Sequence, residues 1–383
     1  MTDIPEDWDP RSADARDEPV ATYDRMRRRC PVAHSDYLAW SFFRHADVVR
    51  ALDDPRSFSN EVSTHLSVPN GMDPPVHTDY RRIIDPYFSE ERMRAFEPVC
   101  RDIAAELLDA LPSGRDVDVI DSLAQPFALR AQAAFLEWPA GLHEPLRQWV
   151  RANHEATRSR DPAATAAVAV AFDQHIRTVL AERRLEQPSR EDAASRLLRE
   201  RIDGRELTEA EIVSILRNWT VGELATIAAS VGIVVDFLAR RPDVVRHLRA
   251  DASHIAVAID EILRIHPPLI ASRRKTTCPV TVADRRIGAG ERVTLMWAAA
   301  NRDESVFGDP DEFRLDRDPD LNLLYGRGLH VCPGAPLARL ELRVLVEELL
   351  RRPGREPRLA ATTAVKAVYP GSGFAALYVR VGG

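Results

Sequence analysis

Cysteine is scarce in this chain and is not spaced for a metal cluster or a disulfide scaffold. The 383 residues hold four, Cys30, Cys100, Cys278 and Cys332, with no C-x-x-C pair and no zinc-like interval. A reducing compartment is expected. Lysine is rarer still: Lys275 and Lys366 are the only two among 52 basic residues, so arginine carries almost all of the positive charge. Many of these arginines fall in the helical charge patterns of solvated faces. The net charge is −7, which argues against nucleic acid as the main partner. There is no nucleotide-binding glycine fingerprint. No Gly/Ser linker or block of one charge divides the chain, so one large domain over residues 21–383 is expected, preceded by a loosely ordered stretch over 1–20. Met1 to Val20 is polar and acidic and lacks an apolar signal segment, so a cytoplasmic location is expected. The most apolar window, Trp219–Val235, is marginal in length for a bilayer and carries Glu223 inside it. It is read as a buried core helix, with no membrane as a partner.

Apolar residues make up 45% of the chain, ample for a sizeable core. Three-to-four spacing of apolar positions predicts helices over Arg94–Leu111, Ser122–Leu136, Leu142–Thr157 and Ala163–Arg184. Thr208 and Glu211 form a capping box that opens a long helix ending near Arg240, before Pro242. The middle of that helix is apolar nearly all round, so it crosses the core. Another helix covers Asp251–Ile265. Short strands are predicted over Tyr37–Phe43, Val117–Ile120, Ser272–Val282, Arg286–Ile287 and Arg292–Met296, and within 357–382. The class is mainly α with small β-sheets.

The chemistry gathers at Tyr325-Gly326-Arg327-Gly328-Leu329-His330-Val331-Cys332-Pro333-Gly334. Three glycines in ten residues let the backbone fold tightly and approach a flat partner. Pro336 stands in the first turn of the helix that follows, where proline is best tolerated. Cys332 thus sits just before a helix N-terminus, where unpaired N–H groups and the dipole favour a negative sulfur. The pattern aromatic-Gly-x-Gly-x-His-x-Cys-x-Gly resembles the haem-ligand loop of the cytochromes P-450, the haem-thiolate monooxygenases. Tyr325 takes the place of the family's usual Phe.

Other motifs follow in the family's order. Asp73-Pro74-Pro75-Val76-His77-Thr78-Asp79-Tyr80-Arg81 resembles D-P-P-x-H-x-x-x-R, and four-residue spacing puts His77 and Arg81 on one helix face. Glu261 and Arg264 form E-x-x-R, and Arg317 resembles the third member of the family's Glu-Arg-Arg scaffold. Arg274 lies six residues past Pro268, with Arg273 competing by one register step. On a strand only one of the two can face inward.

The resemblance implies the cytochrome P-450 fold and haem b (iron protoporphyrin IX) with Cys332 as its only protein ligand to iron. It implies that His77, Arg81, Arg274 and His330 hold the propionates. The expected activity is insertion of one oxygen atom from O2 into a small apolar or aromatic organic substrate. The chain has no flavin domain, so electrons are expected from a ferredoxin and its reductase, with Arg82, Arg327 and Arg339 as candidates for a basic docking patch. By resemblance the pocket is bordered by Glu61–Asn70, Trp219–Gly222, Leu269–Ser272 and Tyr369–Phe374.

One segment departs from the family. Its central helix usually reads small-Gly-x-acid-Thr, whereas this chain reads Gly222-Glu223-Leu224-Ala225-Thr226. Thr226 falls on the family's catalytic alcohol, but the acid before it is Ala225. Glu223, about one turn away, is expected to replace that acid by passing protons through water toward Thr226. The departure keeps open a member that couples, desaturates or uses peroxide, and a non-enzymatic haem-thiolate sensor or carrier.

Overall fold

Most of the chain is helical, because most of it repeats apolar residues at three-to-four spacing. The computed structural model describes residues 7–382 apart from 160, 186–190, 353, 355 and 368–370. Among the described residues the early helices are α1 (Ala13–Asp17), α2 (Pro19–Arg29), α3 (His45–Asp53), α4 (Val76–Ile84) and α5 (Glu90–Ala110). The middle set is α6 (Gln125–Phe135), α7 (His143–Ser159), α8 (Pro162–Leu185), α9 (Ala193–Leu197) and α10 (Glu209–Arg240). The last are α11 (Pro242–Ala250), α12 (Ile255–Ile265), α13 (Trp297–Ala300), α14 (Glu304–Phe307) and α15 (Ala335–Leu350).

Strands are few and short. They are β1 (Val32–Ser35), β2 (Ala39–Phe42), β3 (Phe58–Ser59), β4 (Asp116–Asp118), β5 (Arg201–Ile202), β6 (Arg205–Glu206) and β7 (Ser272–Thr276). β8 (Val280–Val282), β9 (Arg285–Ile287), β10 (Arg292–Leu295), β11 (Pro357–Leu359), β12 (Val365–Lys366), β13 (Phe374–Ala376) and β14 (Tyr378–Val381) complete them. The largest sheet has the order β1-β2-β10-β7-β3. Its core strands β10 and β7 pair antiparallel with Val293 opposite Arg274.

Several boundaries differ from the sequence reading for local reasons. Ser272–Val282 is not one strand: β7 and β8 are separate, with Pro279 in the break, where no N–H is available for a ladder. The stretch 1–20 is expected to be loosely ordered, yet its described part, 7–20, carries regular structure and buried contacts. Ser12 caps α1 by accepting from Ala15 N, Trp8 packs edge-on against Phe43 at 5.1 Å, and both rings are buried. α2 then starts at Pro19, inside that stretch, and its Arg27 bonds the Ala299 carbonyl at 3.0 Å and the Glu304 carboxylate at 2.8 Å. This stretch is built into the protein by contacts too distant in sequence to be read locally.

The long helix α10 begins as its capping box predicts: Glu211 N donates to Thr208 Oγ1 at 3.3 Å and Thr208 N to Glu211 Oε2 at 2.7 Å. By length and composition α10 suffices to cross a membrane, and 61% of its most apolar window is buried inside the protein. It packs against α6, α8, α12 and α15, while α15 lies along α5. A single turn of π-helix, Ile120–Ala124, leads into α6 and crosses α10 closely. At that crossing Gly232 leaves no room for a side chain: a Cβ there would stand 2.6 Å from Ile120 Cδ1.

The scaffold triad assembles in the core. Arg264 donates to Glu261 at 2.7 and 2.9 Å and to the carbonyls of Asn301 and Pro310 at 2.8 and 3.0 Å. Arg317 donates to the same Glu261 at 2.9 Å. One buried cluster thereby ties α12 to the irregular chain that leads to the cysteine loop.

Candidate active site

The cysteine loop is folded by its own backbone. Cys332 N donates to Tyr325 O at 2.8 Å, Val331 N to Gly328 O at 3.1 Å and Ala335 N to Cys332 O at 3.3 Å. Gly328 adopts φ 70°, and a side chain there would press on Leu52 O and Asp53 Oδ1 at 3.3 Å. The loop can therefore close against α3 only with glycine at this point. The Cys332 side chain is open to a cleft, yet it lies deep in the molecule. Burial pushes its thiol pKa up, while the N–H groups of Gly334 and Ala335 at the start of α15 draw it down. The hydroxyl of Tyr325 is buried, with the Arg339 guanidinium 4.6 Å from its ring centre.

α10 forms a second wall. Val221, Gly222 and Ala225 are exposed and Thr226 is half-buried, while Glu223, Leu224, Ile227 and Ala228 are buried. An open stripe of mostly small side chains thus interrupts a helix that is otherwise packed in the core. Phe88 connects the walls: it meets Trp219 edge-on at 5.3 Å and lies beside Gly334. Thr226 faces the stripe, but its hydroxyl is engaged, donating to Gly222 O at 2.5 Å.

Basic groups gather beside the cysteine. The rings of His77 and His330 approach to 4.0 Å between centres. His77 Nδ1 and His330 Nε2 are buried and have no hydrogen-bond partner among the described residues. Burial first, then the charges of His77, Arg274 and Arg81, push the His330 pKa down to about 3. Burial also lowers that of His77, with Arg81 contributing. On β7 Arg274 points inward and Arg273 outward, so the register choice falls to Arg274. Its guanidinium is buried, its pKa is pushed down to about 10 by desolvation, and among the described residues it bonds only the neighbouring carbonyl of Arg273, at 2.7 Å. Arg81 does not stand free beside His77: it donates to Val331 O at 2.7 Å and to Asp85 at 2.6 Å, bracing the loop.

Glu223 is not where the proton-relay expectation needs it. Its side chain leaves the open stripe and is buried toward Glu341 of α15 and Cys100 of α5. Its carboxyl lies with Glu341 in the α10–α15 packing, and among the described residues the Thr226 hydroxyl bonds backbone carbonyls, those of Gly222 and Glu223, and not that carboxyl. Glu341 was not singled out by sequence reasoning. Its signal is an acid on the apolar stripe of α15, in step with Leu337, Leu340, Val344 and Leu345.

The proposed docking arginines are each paired: Arg327 with Asp53 at 3.1 Å, Arg82 with Asp79 at 2.6 Å and Arg339 with Asp260 at 3.0 Å. They do not form a bare cationic patch. Of the pocket segments, Leu269 is exposed, and Ser372 donates to Pro267 O at 2.6 Å. Tyr369 and Pro370 lie outside the described residues. The loop within Glu61–Asn70 is fastened to α10. Ser214 Oγ accepts from Val68 N at 2.8 Å, and Arg217 donates to Leu66 O at 2.7 Å while gripping Asp173 of α8 at 2.7 and 2.8 Å. This fastening was also missed, because Arg217 reads locally as a solvated arginine.

These features meet those of known proteins. The sequence profile of the cytochrome P450 family matches residues 134–353. The chain is 32% identical to the cyclomarin C epoxidase CymV of Salinispora arenicola over 349 residues, 85% of this chain and 87% of the relative. It is 32% identical to the erythromycin C-12 hydroxylase of Saccharopolyspora erythraea over 344 residues, 86% of each. Its fold superposes on the open cytochrome P450 EryK of S. erythraea with a TM-score of 0.87 at 29% identity, covering 95% of this chain and 96% of that one. The chain belongs to the cytochrome P450 family. It is a monooxygenase of the oxidoreductase class, and its family binds haem b through a cysteine thiolate.

The residues of this chain fit that group. An exposed thiol, two orphaned imidazole nitrogens and a buried arginine with no carboxylate hydrogen bond among the described residues lie near one another, the donor set that a haem iron and its propionates need.

Proposed function

We propose that this enzyme inserts one oxygen atom from O2 into a small apolar or aromatic organic substrate, by hydroxylation or epoxidation, with Cys332 as the thiolate ligand of haem b. The observation that carries the reading is Cys332 itself, held at the start of α15 by N–H groups that favour its anion and open toward the bare stripe of α10. When bound, the haem supplies oxygen activation, helped by electron density from the thiolate.

The chain's own residues do the rest. Arg274 offers a desolvated cation to a propionate, worth more in this setting than in water. His330 and His77 stay uncharged, so their free nitrogens serve as neutral hydrogen-bonding groups. Arg81 supports from behind, fixing the carbonyls on either side of His330. Thr226 directs its proton to Gly222 O and so presents lone pairs to the cleft. It is positioned to accept a proton from an incoming donor and to pass on its own. Val221 and Leu269 offer exposed apolar surface to the substrate.

Electrons come from outside, through a ferredoxin and its reductase in a cytoplasmic setting. The three candidate docking arginines, Arg82, Arg327 and Arg339, are each carboxylate-paired, so the donor is read by shape and by a mixed charge pattern. A second reading is favoured by Ala225, which leaves the open stripe without a carboxylate: the enzyme takes peroxide directly in place of O2 and electrons.

The test is a spin-state titration of the ferric protein with aromatic acids, phenolic ethers, terpenes, fatty acids and macrolides, followed by turnover of each hit under labelled O2. A high-spin shift together with label in the product is expected. A hit that is converted only with peroxide would replace the first reading by the second.

A further inference from the structure

Two carboxyls meet in the core where α10 and α15 pack. Glu341 is fully buried and Glu223 nearly so. Glu341 Oε1 and Oε2 and Glu223 Oε1 receive no hydrogen bond from any donor among the described residues. They lie within hydrogen-bonding reach of each other, a contact that requires a proton on one, since an ionised carboxylate only accepts.

Among the described residues, the packed elements leave the pair without a free cation. From α5 comes the buried thiol of Cys100, whose pKa desolvation pushes up to about 12, so it stays neutral. Arg101 of α5 and Arg343 of α15 are spent on Glu97, Glu347 and Glu348 at the outer edge of the same packing. From the cysteine loop come the buried Tyr325 phenol and Cys332. Two carboxylates in such a place cannot both ionise. They titrate as one coupled site that keeps at least one proton. Burial raises both, and the retained proton is shared by the pair. Glu223 is the member with residual exposure, 8% against 0% for Glu341, so it is the one that exchanges with solvent. Glu223 adjoins Gly222 on the cleft wall, and its charge is felt at Cys332.

We propose that Glu223 and Glu341 form a proton-sharing pair linked to reduction of the haem: as one electron arrives from the external donor protein, Glu223 takes up one proton from solvent. The electron adds one negative charge to the haem–thiolate unit. An O–H bond forms at the Glu223 carboxylate, the proton coming from bulk buffer, and no other bond changes. The charge added in the core is thereby cancelled beside it. Both are positioning residues, acting through the field at the iron site, and the proposal rests on the haem–thiolate reading above.

The test is potentiometry of the purified holoenzyme from mildly acid to mildly alkaline pH. The haem midpoint of the wild type should fall with rising pH, approaching ~59 mV per unit, the tenfold-per-unit linkage of one proton to one electron. Glu223→Gln should flatten that slope. Glu341→Gln should move it to lower pH, because the amide N–H would stabilise ionised Glu223. A flat wild type, or a slope unchanged in both variants, overturns the proposal. If a variant does not hold haem, the wild type alone decides. With isotope-labelled glutamate, the reduced-minus-oxidised infrared spectrum should gain a protonated carboxyl band, and its absence overturns the proposal. The ferrous–CO spectrum of the same samples reports the haem–thiolate reading separately.

Discussion

Arg274 and the Glu223–Glu341 pair show how single residues carry this site. Arg274 is a buried guanidinium whose only bond among the described residues is to a backbone carbonyl. Such a group is costly unless a charged partner arrives. Arg274→Gln should therefore keep the fold and loosen the haem. A charge-assisted bond is worth about 1.5–3 kcal/mol, so transfer of haem to an acceptor globin should run roughly 10- to 100-fold faster. Unchanged release would remove Arg274 from the cofactor site. The carboxyl pair makes a different prediction, about stability. Burial raises both carboxyls above the ordinary glutamate value of 4.5. A raised carboxyl favours the folded state fully below its unfolded value and loses that favour as pH climbs through its folded value. The thermal midpoint should then decline as pH rises from about 4.5 through neutrality, and Glu341→Gln should decline less. The cysteine loop was legible from sequence because its chemistry is local: glycines, proline and cysteine within ten residues. Glu341 was not, because an acid on an apolar stripe acquires meaning only when Glu223 is known to face it.

Elements are joined by arginines that act as ties. Arg264 links α12 to the chain before the cysteine loop through Glu261, Asn301 and Pro310. Arg264→Ala leaves Glu261 buried with only Arg317 as its cation. Breaking a buried pair costs about 3–5 kcal/mol, so this variant should be recovered poorly and with little haem, as measured by the haem-to-protein absorbance ratio. A variant with normal yield and haem content would contradict the scaffold role. Arg217 is a tie of another kind, joining α8 and the loop around Leu66 to α10. Arg217→Ala should leave the fold intact and free that loop. Substrate dissociation constants from the spin-state titration should then rise by about tenfold, one charge-assisted bond's worth, with little change in thermal midpoint. Equal effects on both would make Arg217 structural. The long helix α10 was legible from Thr208 to Arg240 because caps and apolar runs are local signals. Its faces were not: Glu223 was assigned to the cleft by counting turns, and the contact with α15 places it in the core.

Across the whole molecule, charge and class were legible and surface pairing was not. The net charge of −7 and the arginine-rich helices describe a surface laced with ion pairs. Each arginine expected to greet an electron donor has already found a carboxylate, Arg327 with Asp53, Arg82 with Asp79 and Arg339 with Asp260. Two of those carboxylates, Asp53 and Asp260, come from segments far away in sequence, which is why the patch could not be judged from the chain alone. The same holds for residues 7–20, whose order comes from Trp8 and Arg27 reaching the sheet and α14. The central claim is that Cys332 ligates haem as a thiolate. The ferrous–CO spectrum of the purified protein tests this most directly. The account predicts the red-shifted Soret band of a thiolate-ligated haem in the wild type, and its loss in Cys332→Ser with the helical fold retained. A colourless protein, or a CO band of the kind given by a neutral ligand and unchanged in Cys332→Ser, would contradict it.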